Sequence, residues 1–372
     1  MRIIFPFIGE PHHIFHALPI AAEMAAMGAD VELAVAGPDH LRILRQIDLV
    51  YPGFDPRITL LGQTGPARWL RDAGILRNPR LPILLGALPF LRGFDAIVVP
   101  ERTTTAIRHF LPRRTRLVFT PHGAGDRAIM LDPRDRHFDF VLVAGEKSEK
   151  RLLEAGTIRP GHYAVNGYVK LDLMARLQKS RPPLFDNGRP TVLYAPHFQR
   201  ALSSWDKFGA AVIDWFAGQD RYNLVVAPHV RLFAEASDSE REAVMERAVP
   251  DKILIDLGSD RLFDMSYTGG ADIYLGDVSS QVYEFLAKPR PCLFLNAHDV
   301  DWRGDPDYLF WTLGDVLDDP AGLGAALDAA QARHKLYSPA QCERLAESIG
   351  GDPAGAARRG AEAILRFLAK DG

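Results

Sequence analysis

Cysteine is nearly absent: Cys292 and Cys342 are the two in 372 residues. That scarcity excludes a disulfide framework and a cysteine-rich metal site, and it is the usage of a reducing compartment. Long apolar runs are lacking as well, since no window approaches the roughly 20 residues that a spanning helix requires. The opening Met-Arg-Ile-Ile-Phe-Pro-Phe has neither the basic segment nor the long apolar stretch and cleavage site of a signal peptide, so a first strand and a cytoplasmic location are expected. No charge of one sign dominates. A net charge of −3 does not suit a general nucleic-acid binder, and any anionic ligand must be held by local groups. Fixed-period repeats and low-complexity tracts are missing too.

What remains is a folded composition, 47% hydrophobic and 24% charged, on a chain long for a single core, so two domains are expected. Short apolar runs alternate with helical segments: Arg2 to Phe7, Asp30 to Ala36, Ile58 to Leu61, Asp95 to Pro100, Arg116 to Thr120 and Phe138 to Ala144. The beat is lost from Leu177 to Pro190, where breakers gather, and restarts with Thr191 to Ala195, Tyr222 to Ala227, Lys252 to Leu257, Ala271 to Leu275 and Pro291 to Leu295. Such alternation predicts an α/β protein with two doubly wound parallel sheets facing a central cleft. The boundaries expected are 1–177 and 190–350, with a helix in 353–372 crossing back to the first domain.

Two loops leave predicted strand ends, where open α/β sheets bind ligands. The first is His-Gly-Ala-Gly-Asp-Arg from His122 to Arg127, and the second is Gly-Asp-Val-Ser-Ser from Gly276 to Ser280. A neutral imidazole titrates near working pH, so His122 suits a general base that takes a hydroxyl proton. Asp126 would orient its ring and Arg127 would hold an acceptor phosphate, although a helix cap or surface ion pair fits the same residues. Asp277, Ser279 and Ser280 precede a helical run, so they would present hydroxyl and N–H groups to a diphosphate, or act as an ordinary N-cap. Gly9 to His16 contributes His12, His13 and His16 beside strand one. Three histidines invite a metal reading, but no carboxylate or cysteine stands at ligand spacing, and none is expected.

Read in order, Thr120-Pro121-His122-Gly123, the run from Val165 to Asp172, Val192 to Pro196, Ala227-Pro228-His229 and Asp277-Val278-Ser279-Ser280 resemble the CDP-glycerol glycerophosphotransferase family. The resemblance covers roughly residues 115 to 296 and implies a GT-B scaffold of two Rossmann-like domains. It also implies transfer of an alcohol phosphate from a CDP-activated donor to a hydroxyl acceptor in cell-envelope synthesis. In that frame His122 is the base and His229 meets donor phosphate as a protonated, charge-stabilising group. Gly276, Asp277, Ser279, Ser280, Arg231 and His197 line the donor side; Arg127, Asp126, His12 and His13 line the acceptor side. After His-Gly this chain has Ala124-Gly125-Asp126-Arg127 where the family continues with a threonine-proline-leucine-lysine type of run, a change that would fit the same donor chemistry on a different alcohol.

Three other readings use the same pattern. A nucleotide-sugar glycosyltransferase would attack carbon instead of phosphorus; a UDP-sugar 2-epimerase would need carboxylates such as Glu101 and Asp126; a silent nucleotide- or lipid-binding protein would need no base. Asp299-Val300-Asp301 is read as a polar loop, and developing charge is expected to fall on histidine, arginine and helix ends without an obligatory metal or cofactor. Finally, 66–92 combines five arginines with one aspartate, Trp69 and the apolar run Leu81 to Leu91, which suits an anionic membrane surface or a pair of ordinary helices. A lipid-linked acceptor would fit the first of these.

Overall fold

The computed structural model describes residues 1–372 apart from 48–49, 64, 76–78, 123–131, 180, 280, 351–353 and 371–372. It comprises two compact units, Met1–Leu177 with Ala346–Gly372, and Gln178–Leu345. Unit 1 holds β1 (Arg2–Phe7), β2 (Asp30–Val35), β3 (Arg57–Leu60), β4 (Ala96–Val99), β5 (Arg116–Phe119), β6 (Phe140–Val143) and β7 (Tyr163–Val165). They form one parallel sheet in the order β3-β2-β1-β4-β5-β6-β7. Its helices include α1 (Ile14–Ala26), α2 (Pro38–Ile47), α3 (Gly65–Asp72), α4 (Arg80–Leu91), α5 (Glu146–Glu154) and α6 (Val169–Gln178), whose last residue opens unit 2. The central strands are continuous apolar runs because both sheet faces are covered; all four residues of β4 are buried.

Unit 2 repeats the plan with β8 (Thr191–Ala195), β9 (Asn223–Val226), β10 (Ile253–Ile255), β11 (Ile273–Gly276), β12 (Cys292–Leu295) and β13 (Asp315–Leu317), all parallel in the order β10-β9-β8-β11-β12-β13. Around them run α7 (Trp205–Ala217), α8 (Asp238–Met245), α9 (Ser266–Gly270), α10 (Gln281–Phe285) and α11 (Leu323–Ile349), whose residues from Ala346 on belong to unit 1. Each unit has its own core, one built on Ile4, Ile97 and Phe119, the other on Val192, Tyr194 and Leu275. In both, strand order reverses beside the first strand, between β1 and β4 and between β8 and β11. Backbone loops diverge there and leave room for a ligand.

The C-terminal helix α12 (Ala356–Lys370) packs on α1 within unit 1. Small residues permit the approach: Ala357, Gly360 and Ala361 are fully or nearly buried, and Phe367 stacks on Phe140 at 4.7 Å. The run from Asn166 to Asp172 serves this helix. Asn166 Nδ2 donates to the Ala356 carbonyl at 3.2 Å, and the Ala357 N–H donates to Asp172 at 3.2 Å. Gly145, after β6, faces the backbone at the end of α11, where an added Cβ would sit 2.7 Å from the Glu347 carbonyl oxygen. Backbone cannot swing aside as a flexible side chain can. Gly145→Ala is therefore expected to lose about 1–3 kcal/mol in urea unfolding; an unchanged midpoint would show that 346–349 does not pack there.

Candidate functional site

In unit 1 the loops after β1, β4 and β5 carry the chemistry. Pro11 presets a short 3₁₀ turn, Pro11–His13, that leads into α1 and turns the His13 ring inward. The ring lies against Gly9, where a Cβ would fall 2.6 Å from His13 Nδ1. His13 stacks on His122 with centroids 4.0 Å apart and meets His12 edge-on at 4.7 Å. His122 Nδ1 lies 2.5 Å from the Pro100 carbonyl oxygen. A nitrogen beside a carbonyl must carry the proton, so Nε2 keeps the lone pair and is the basic atom. Burial pushes the His122 pKa down, against the Pro100 hydrogen bond that raises it. Burial likewise holds His13 and His16 well below the ordinary histidine range. The His122 orienting group is thus a backbone carbonyl, while Asp126 and Arg127 lie outside the described residues.

Beside this cluster Glu101 is buried and already engaged, accepting from the Thr103 N–H at 2.6 Å and from the Thr104 hydroxyl. Arg102 next to it is held bidentately by buried Asp135, at 2.6 and 3.0 Å. Among the described residues no group of histidine, cysteine, aspartate or glutamate has metal-holding geometry.

Unit 2 builds its loops around one carboxylate. Asp277 follows β11, is 0% exposed, and through Oδ2 accepts the backbone N–H groups of His197 at 2.8 Å and Ser204 at 2.9 Å. Those bonds stitch the loop after β8 to the loop after β11. Asp277, expected on the donor side, thus uses Oδ2 to hold the two loops together. Gly276 is buried at the end of β11, where an added Cβ would fall 2.8 Å from the Tyr274 hydroxyl oxygen.

His229 sits after β9. Its Nδ1 accepts the Arg231 N–H at 3.2 Å, and burial, then the Arg231 charge, push its pKa down to about 4. With Nδ1 accepting that bond, the ring is neutral here and Nε2 carries the proton. His197 has the same tautomer, since its Nδ1 accepts the Gln199 N–H at 3.1 Å. The rings of His197 and His229 stand 6.2 Å apart, with Phe198 4.6 Å from the first and 4.7 Å from the second, and the Arg231 guanidinium lies over Phe198 at 4.3 Å. Phe198 was not singled out from sequence; the signal was its place directly after the β8 Tyr-Ala-Pro-His end. Ser279 is buried and its Oγ accepts the Gln281 N–H at 3.3 Å, a weak cap on α10. With five residues, α10 offers little dipole, so the histidine and arginine groups carry more of any phosphate contact than the helix end does. Ser280 lies outside the described residues. Asp299 and Asp301 are exposed on a loop after β12.

Burial raises the Asp277 pKa from an ordinary 3.8 to about 6, with Oδ1 left without a partner. The folded state thus binds this proton more tightly than the unfolded chain. Its stability contribution is complete below pH 3.8 and lost as pH rises through 6, a change of about 3 kcal/mol. Asp277→Asn should remove this dependence, so the wild-type-minus-variant unfolding free energy should fall between pH 4 and pH 7. A flat difference in urea titrations would contradict it.

No protein-family model and no curated protein matches the sequence. Solved structures do match by fold. The S. aureus MnaA–UDP structure superposes with a TM-score of 0.67 at 14% identity, covering 99% of this chain and 97% of that one. The UDP-GlcNAc 2-epimerase from Neisseria meningitidis bound to UDP-GlcNAc gives 0.62 at 13%, covering 98% and 100%. The wall teichoic acid polymerase TagF gives 0.64 at 13%, covering 99% and 89%. The fold is thus GT-B-like, two Rossmann-like units with parallel sheets, shared with UDP-GlcNAc 2-epimerases and TagF alike.

Proposed function

We propose that the protein is an enzyme acting on a nucleoside-diphosphate sugar, with UDP as the leaving group. In this reading His229 and Arg231 are the diphosphate-binding groups and His122 is the base. The observation that carries this reading is the pair of opposite histidine tautomers. His122 has its lone pair on Nε2, whereas His229 and His197 carry the Nε2–H that an anion requires. In the proposed reaction the sugar C1–O bond breaks, its electron pair stays on the diphosphate, and His229, with Arg231 close by, meets the added charge. His122 Nε2 takes the proton of the attacking hydroxyl. A solved neighbour with UDP-GlcNAc bound and another with UDP support a uridine nucleotide in this fold.

Transfer to an acceptor is the form of the reaction taken here: of the two carboxylates that 2-epimerisation would call on, Glu101 is buried and hydrogen-bonded to Thr103 and Thr104, and Asp126 lies outside the described residues. The second reading, transfer of an alcohol phosphate from a CDP-linked donor, is supported by the TagF fold solved after a CDPG soak and by the histidine–serine order along this chain. It uses the same groups with attack at phosphorus. Neither reading assigns a resident metal, and a chelator is expected to leave turnover unchanged.

A thermal-shift series with UDP, UDP-GlcNAc, CDP and CDP-glycerol separates the readings, because a ligand bound to the native state raises apparent stability. Uridine-selective stabilisation is expected, weakened in His229→Ala. Cytidine selectivity would install the alcohol-phosphate reading, and no shift with any nucleotide would overturn both. With the selected donor, His122→Ala should lower kcat by about 10²–10⁴-fold. The acid limb of kcat/KM should have its midpoint below 6.5, because burial lowers the His122 pKa from that value. Interconversion of UDP-GlcNAc with its 2-epimer, without any acceptor, would replace transfer by epimerisation.

A further inference from the structure

Helix α4, Arg-Leu-Pro-Ile-Leu-Leu-Gly-Ala-Leu-Pro-Phe-Leu, is apolar on every side. A surface helix of a globular protein keeps a polar outer face. The inner face of α4, with Ile83, Leu84, Ala87 and Leu91, lies in the unit 1 core. Its outer stripe runs Leu81, Leu85, Pro89 and Arg92, about one position per turn over about 16 Å. Leu81 and Leu85 are 44% and 48% exposed. Arg92 Nε donates to the Phe110 carbonyl at 3.0 Å, which sets Phe110, 53% exposed, at the far end of the stripe. Helix α3, packed beside α4, adds Trp69, 62% exposed.

The charge around this stripe is one-sided. Residues 65–75, 80–92 and 103–116 contain eight arginines and one carboxylate, Asp72, in a chain whose net charge is −3. Arg68, Arg92, Arg113 and Arg114 are exposed. Arg68 pairs with Asp72 at 3.2 Å, and Arg80 with Glu10 at 2.6 Å. Exposed pairs of this kind are weak, and lipid phosphate can compete for them.

From the exposed apolar stripe and its arginine rim we infer that unit 1 docks on an anionic lipid bilayer through α4. Trp69, Leu81, Leu85 and Phe110 enter the boundary between headgroups and acyl chains, and Arg92, Arg113 and Arg114 meet lipid phosphates. Among the described residues no helix is long and apolar enough to cross a membrane, so α4 lies on the surface. A second copy of the chain is the poorer occupant. A two-fold contact is self-complementary, so it would set the arginine rim against itself. The Arg80–Glu10 pair joins the start of α4 to the β1 loop carrying His12 and His13, so the docked face adjoins the candidate site of unit 1. That placement suits an acceptor borne on lipid.

The test is sedimentation of the full chain with vesicles of phosphatidylglycerol and phosphatidylcholine, against phosphatidylcholine alone. Wild type is expected to sediment with the anionic vesicles and to be released by salt. Leu81→Asp with Leu85→Asp, and separately Arg113→Glu with Arg114→Glu, should each weaken binding by about tenfold or more. Circular dichroism and the nucleotide thermal shift of each variant should match wild type, which separates loss of docking from misfolding and from failure of the nucleotide reading. Wild type staying in the supernatant, or variants binding as wild type does, would overturn the inference. So would light scattering that shows a dimer dispersed by Leu81→Asp with Leu85→Asp in the absence of vesicle binding.

Discussion

The constraint on which everything else rests is that a parallel sheet covered on both faces has no room for chemistry along its strands. Polar side chains can gather only where strands end and chains diverge. In both units that place lies beside the first strand, where β1 meets β4 and β8 meets β11. The loops that hold His13, Glu101, His197 and Asp277 all start there, and His122 and His229 start one strand further out. The composition of those loops follows from the topology, since the apolar strands must stay apolar to bury both faces.

Backbone groups then decide what the histidines can do. A carbonyl at Pro100 fixes one tautomer of His122, and backbone N–H groups of Arg231 and Gln199 fix the other tautomer in His229 and His197. These bonds depend on loop conformation and hence on what holds the loops. In unit 2 that is Asp277, a buried carboxylate accepting two N–H bonds across the switch point. Burial of the carboxylate is costly in itself, and the cost is carried because removing it would orphan two buried donors.

Much of the architecture was legible in the sequence. Arg2–Phe7 and Thr191–Ala195 were read at their observed bounds because continuous apolar runs between helical periods leave little choice. The short edge strands Tyr163–Val165 and Asp315–Leu317 were not, since three half-exposed residues at a sheet edge carry no pattern of their own. The histidines and Asp277 were legible as residues of interest, but their roles were not. Tautomer, burial and the engagement of Glu101 by Thr103 and Thr104 arise from contacts between loops distant in sequence. The Val165 to Asp172 run shows the same limit, for in the sequence it carried only a family resemblance, and in the fold its Asn166 and Asp172 anchor α12.

A base oriented by a carbonyl differs from one oriented by a carboxylate. A carboxylate would stabilise the imidazolium once formed, whereas the Pro100 carbonyl offers only a dipole, and burial further disfavours the charged ring. In the proposed reaction His122 would therefore be a weak base, its proton transfer favourable only late, as the attacked bond is already breaking. Such chemistry demands a leaving group that accepts charge readily. A nucleoside diphosphate does so, particularly against neutral Nε2–H donors and a nearby arginine, which need no reorganisation when the charge arrives. In the proposed reaction a weak base and anion-ready donors thus answer the same requirement.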